Sequence, residues 1–126
     1  MDQPPAKNTR PIWMHPVLAT GYSLSGARFL MGQRAARIQV VMGAVTVVVF
    51  AAAGVSAGHW AVMAGLWIVG LGVEALNTAI ELTVDRVSPE ISEYGKHAKD
   101  LGSFAVGCAL VVFVGHALWA IWAALG

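Results

Sequence analysis

IQVVMGAVTVVVFAAAGVSAGHWAVMAGLWIVGLGV, residues 38–73, decides the fold: 36 consecutive positions carry no Asp, Glu, Lys or Arg. A second such run covers the last 26 residues, 101–126. A bilayer core of about 30 Å is crossed by about 20 helical residues. The first run therefore holds two crossings, provided the chain turns near its glycines, and the second run holds one more. Working outward, the whole chain of 126 residues is 57% hydrophobic and only 12% charged. A soluble domain of that size needs roughly a quarter charged residues to cover its surface. The reading is an all-α integral membrane protein with an N-terminal amphipathic surface helix and three transmembrane helices.

The valines of the first run favour strands in water, but the run offers no partner strands. In lipid every backbone N–H and C=O must be satisfied within the segment, so it is read as a helix. The predicted crossings are residues 38–56, 60–86 and 101–125, with a turn at Ala57-Gly58-His59. Ser88-Pro89 ends the second helix, because the residue before proline is driven from the helical region. Residues 1–37 are read as a loose polar tail followed, from Pro16 to Arg37, by the surface helix, in which Leu18, Tyr22, Phe29 and Leu30 alternate with Arg28, Arg34 and Arg37. Residues 38–126 form the membrane domain. A cleaved signal peptide fits poorly, since the first 37 residues are polar and mixed. The single cysteine, Cys108, cannot form an internal disulfide and reads as a small packing residue.

All eight Lys and Arg (Lys7, Arg10, Arg28, Arg34, Arg37, Arg86, Lys96, Lys99) fall on one side of this layout. The positive-inside rule then places the N-terminus and the 86–99 loop in the cytoplasm. Trp60, Trp119 and Trp122 gather at the opposite end, where an aromatic belt is expected.

The exception to the apolar pattern is GLGVEALNTAIELTVDR, residues 70–86. At about 100° per residue, Asn77, Thr78, Glu81 and Asp85 all fall within about 60° of Glu74, so the helix carries one polar stripe. A carboxylate facing lipid costs at least ~2.5 kcal/mol, so Glu74 should face a protein-lined or watery site. Glu81, nearer the water, has the hard oxygens that suit a divalent cation. Flanking charge alone explains HAKD, residues 97–100, in isolation; beside the stripe, Lys99 and Asp100 complete a set suited to phosphate and metal. For Asp85, helix-flanking charge paired with Arg86 or a headgroup is an equal alternative. A phosphate-binding G-x-x-x-x-G-K-[ST] loop is absent, and the four histidines have no zinc-like spacing. A triad drawn from Ser103, His97 and Asp100 lacks the strand-turn-helix context of a nucleophile elbow. These residues describe a small membrane protein with a carboxylate-rich, metal-compatible site.

The run VEALNTAIELTVDRVSPE (residues 73–90), followed by AKDLGSFAV (residues 98–106), resembles the prokaryotic diacylglycerol kinase family, which includes the related undecaprenol kinases. The resemblance rests on the joint pattern E-x-x-N-x-A-I-E-x-x-x-D-R with A-K-D at a fixed distance. It implies phosphoryl transfer from ATP, with Mg²⁺, to the hydroxyl of sn-1,2-diacylglycerol at the cytoplasmic membrane of a bacterium. It further implies a homotrimer with active sites shared between chains. Under it, Glu74 corresponds to the general base, Asn77 to the same polar site and Glu81 to a metal ligand. Lys99 and Asp100 correspond to residues that engage nucleotide phosphates. Glu90, Ile91 and Ser92 correspond to part of a nucleotide-binding loop, Ser103 to a substrate contact, and Tyr22 and Arg37 to positions near nucleotide and lipid. The chain departs from the family in QRAAR, residues 33–37: Gln33 stands where a metal-binding glutamate is expected and Ala36 where a phenylalanine is. Undecaprenol kinase, and a divergent non-catalytic membrane protein, are the competing expectations.

Overall fold

A computed structural model describes residues 11–126 as four helices and no strand: α1 (Met14–Met31), α2 (Arg34–Ala53), α3 (Ala57–Val87) and α4 (Glu93–Leu125). The expected polar tail, with Lys7 and Arg10, lies outside the described residues. Helices α2, α3 and α4 are each long and apolar enough to cross a membrane. At 1.5 Å per residue, the 31 residues of α3 and the 33 of α4 span about 46 and 50 Å, well beyond a ~30 Å core. Their polar ends therefore stand clear of the membrane on one side.

Three boundaries differ from the sequence expectation. The chain turns at Gly54, not at Ala57–His59, which form the first turn of α3. Gly54 is left-handed (φ 68°), and the Val55 N–H closes back on the Phe50 carbonyl at 3.1 Å. A residue without Cβ takes that conformation at no steric cost, and neighbouring Gly58 leaves the alternative open in sequence alone. The helix that carries the third crossing begins at Glu93, well before Leu101, because Ser92 caps it by accepting the Gly95 N–H at 3.1 Å. The surface helix ends at Met31 rather than Arg37. Gly32 and an extended Gln33 (φ −82°, ψ 139°) interrupt it, and Arg34 and Arg37 belong to the start of α2.

Helices α3 and α4 form the most extensively packed pair, and α2 leans against both more lightly. At the end bearing the α2–α3 turn, Phe50, Val55, Met63, Phe113 and Ala120 form the apolar core. The Phe50 and Trp60 rings meet edge-on at 5.4 Å, and the Trp60 indole N–H donates to the Val55 carbonyl at 3.2 Å, which pins the turn. Midway along, Trp67 lies against Gly43 so closely that a methyl there would meet its indole nitrogen at 2.5 Å. The same N–H donates to the Gln39 carbonyl at 3.0 Å. The missing Cβ at Gly43 is what lets α2 and α3 approach.

Candidate active site

Away from that apolar end, the polar stripe of α3 is mostly turned inward. Glu74, Asn77 and Thr78 are buried, at 4%, 7% and 8% exposure, whereas Glu81 is exposed. These four side chains, with Gln33, Arg34 and Ala35 from the α1–α2 break and Ser103 and Val106 from α4, line an open cleft of about 370 Å³. The cleft has a carboxylate at its depth and another at its mouth, as the pitch of α3 dictates: Glu74 and Glu81 are seven residues apart, two turns on one face.

Asn77 couples α3 to α4. Its side-chain N–H donates to Glu81 Oε1 at 3.2 Å, which orients that carboxylate. Reversing the amide would set two oxygens against each other. The amide oxygen, Oδ1, is consequently buried without a partner, pressed against Gly102 of α4. An unmade hydrogen bond at a buried acceptor costs about 1–3 kcal/mol, so the arrangement costs stability. Gly102 is required at this contact: any Cβ would overlap Asn77 Oδ1.

The other residues singled out in the sequence do not line this cleft. Lys99 is ion-paired with Asp85 across the α3–α4 hairpin, and Asp100 with Lys96 one turn away on α4, both at 2.5 Å. Asp85 does not pair with Arg86, because adjacent residues on a helix point apart. These pairs are solvent-exposed and worth only ~0–1 kcal/mol each, so Lys99 and Asp100 are readily exchanged onto an incoming charged group. Glu90, Ile91 and Ser92 form the connection from α3 to α4. There Ser88 Oγ donates to Glu90 Oε1 at 3.1 Å and lies 2.9 Å from Ser92 Oγ. Arg37 lies on a separate surface with Arg34, Ile38, Val41 and Met42, and Tyr22 is exposed on α1.

Two residues escaped assignment to a site in the sequence. Arg34 read as one more basic residue of the surface helix, but the break at Gln33 brings it to the cleft wall. Gln39 is a buried amide on α2, 7% exposed. Its signal was available, since it and Thr46 are the only amide or hydroxyl side chains between residues 38 and 53. Among the described residues no cluster of three or more His, Cys, Asp or Glu forms a self-sufficient metal site. What the cleft offers a metal is a carboxylate from Glu81 and an amide oxygen from Gln33. That hard, incomplete donor set suits a cation that arrives with phosphate ligands of its own.

The model of the family described as prokaryotic diacylglycerol kinase matches residues 21–121. A diacylglycerol kinase of Sinorhizobium sp is 46% identical over 97 residues, covering 77% of this chain and 71% of that protein. One from Pseudomonas aeruginosa is 47% identical over 96 residues, covering 75% and 77%. The diacylglycerol kinase of Escherichia coli strain K12 is 35% identical over 99 residues, covering 78% and 81%.

Proposed function

The chain belongs to the prokaryotic diacylglycerol kinase family, and from that premise we infer that it transfers the terminal phosphoryl group of ATP to the free hydroxyl of sn-1,2-diacylglycerol. The products are phosphatidic acid and ADP. The observation that carries this reading onto the molecule is the buried Glu74 in the wall of a cleft at the polar end of a membrane-crossing helix. A diacylglycerol hydroxyl sits at the membrane interface, so a base that serves it must sit near that depth.

Phosphoryl transfer requires positioning and charge neutralisation more than covalent chemistry, and side chains on rigid helices provide both. Glu74 accepts the proton of the attacking hydroxyl, within hydrogen-bond reach of the lipid. Asn77 holds Glu81 in place through the 3.2 Å hydrogen bond. Glu81 and the Gln33 amide are the groups that would hold Mg²⁺, which when bound shields the phosphate charge. Lys99 and Asp100, released from their surface pairs, serve the nucleotide, with the Glu90–Ser92 connection alongside. Ser103 and Arg37 contact the lipid, and Tyr22 lies on the nucleotide side. The basic end of the molecule faces the cytoplasm, where ATP is, in a bacterial inner membrane. A homotrimer with sites shared between chains is consistent with Lys99 and Asp100 lying outside the wall of the cleft that holds Glu74 and Glu81.

The test is ATP-dependent phosphate transfer by purified protein in mixed micelles, with diacylglycerol and undecaprenol offered in parallel and Mg²⁺ present or withheld. Mg²⁺-dependent formation of phosphatidic acid is the expected result. Preference for undecaprenol would reassign the acceptor, and failure with both lipids by folded protein would overturn the reading.

A further inference from the structure

Arg34 stands out when the charges of the cleft are counted. Its wall holds two carboxylates, Glu74 and Glu81, and a single cation, Arg34. The cations on α4 are engaged elsewhere, Lys99 with Asp85 and Lys96 with Asp100. Arg34 forms no ion pair among the described residues, despite sharing the cleft with two carboxylates. It also opens α2, whose first turn contains no acidic residue and whose preceding Gln33 supplies no side-chain cap. The positive end of that helix therefore adds to the guanidinium charge instead of offsetting it. Arg34 is solvent-exposed, so this repulsion is screened and small, and its guanidinium stands open to an anion entering the cleft.

We propose that Arg34 binds the triphosphate of the nucleotide in the cleft and neutralises charge on the phosphoryl group as it is transferred. The proposal rests on the phosphotransfer reading above. The reason lies in Gln33: an uncharged amide holds a divalent cation less firmly than a carboxylate does, which leaves phosphate charge uncompensated beside Glu74 and Glu81. A guanidinium supplies a permanent charge and a planar fork of donors that matches two phosphate oxygens. In the transfer step the bond from the γ-phosphorus to the bridging oxygen of ADP breaks and a bond to the lipid oxygen forms. The lipid proton passes to Glu74, and the charge spread over the γ-oxygens is what Arg34 meets. Arg34 is thus a phosphate-binding residue of the QRAAR segment, next to Gln33 in the same wall.

The experiment compares wild-type protein with Arg34→Gln, Arg34→Lys and Arg28→Gln in diacylglycerol micelles. Arg28, in the last turn of α1, removes a cation from the same basic segment without altering the cleft wall. The expected result for Arg34→Gln is a fall of about 100-fold in kcat/KM for ATP, the scale of losing one charge-stabilising donor. KM for diacylglycerol should be unchanged. Arg34→Lys should lie between, because it keeps the charge and loses the fork. Wild-type-like kinetics in Arg34→Gln, or an equal loss in Arg28→Gln, would overturn the proposal. If Arg34→Gln does not fold, Arg34→Lys alone decides: a loss confined to ATP supports it, and none refutes it. If wild-type protein phosphorylates no lipid, the phosphotransfer reading fails separately. Binding of the non-hydrolysable β,γ-imido analogue of ATP without Mg²⁺ then decides for Arg34: weakened binding in Arg34→Gln supports it, and unchanged binding overturns it.

Discussion

The two ends of the α3–α4 hairpin are built from the same helices and obey opposite rules. At the α2–α3 turn, Phe50, Met63, Phe113 and Ala120 are closed around one another, and the Trp60 indole has its partner. At the other end Glu74, Asn77 and Thr78 are buried, and one amide oxygen has no partner at all. The first end holds the helices together, and the second is held open at a cost that packing elsewhere must offset. The proposed site lies where the polar groups are incompletely satisfied, because those groups keep capacity for a substrate.

The largest expected effect that sharpens this contrast is Glu74→Gln. Removing the proposed base should lower turnover by about 10²- to 10⁴-fold, while binding of ATP, measured at equilibrium, changes little. Unchanged turnover would place the base elsewhere. Next is Phe50→Ala at the apolar end, fully buried in the structure. It should cost about 3 kcal/mol of stability, read as a lowered denaturation midpoint in micelles, yet leave the turnover of the folded fraction intact. A selective loss of turnover would erase the division of labour between the ends. A smaller effect, confined to one helix, comes from a pair of glycines. Gly102→Ala drives a methyl into Asn77 Oδ1 and should cost about 1–3 kcal/mol with a loss of activity. Gly115→Ala, facing open space, should instead be neutral or gain up to about 1 kcal/mol. Equal outcomes would mean that Gly102 is not a contact point. The smallest is Asp85→Asn, which removes the exposed partner of Lys99 and should shift stability by less than about 0.5 kcal/mol in chemical denaturation.

The three crossings were legible from charge-free runs, because lipid admits few alternatives, and the polar stripe from helical pitch alone. Helix ends were less so. Hydropathy marks only the apolar stretch from Leu101, whereas the Ser92 cap, a local hydrogen bond indifferent to lipid, starts α4 at Glu93. The turn expected at Ala57-Gly58-His59 falls instead at Gly54, a choice made by the tertiary path of the chain. At the site, Glu74, Asn77 and Glu81 share one helix, so their proximity follows from spacing. Arg34 reaches them only because the chain breaks at Gln33, and Gly102 meets Asn77 only through the rotation of α4 about its axis. Neither fact is encoded in any single segment.

The aromatic end also sets a length. Trp60 lies near the turn, with Trp119 and Trp122 exposed at the same end of α4. Glu74 is 14 residues further along α3, a rise of about 21 Å within a hydrocarbon layer of about 30 Å. With the tryptophans seated at one interface, the helix acts as a ruler that fixes how far the carboxylate lies from the other. A thicker bilayer draws Glu74 down below the glycerol hydroxyls, and a thinner one lifts it toward the headgroups. With Glu74 as the proposed base, the acyl-chain length of the surrounding lipid should then modulate turnover through one rigid helix, acting by way of molecules that are not substrates.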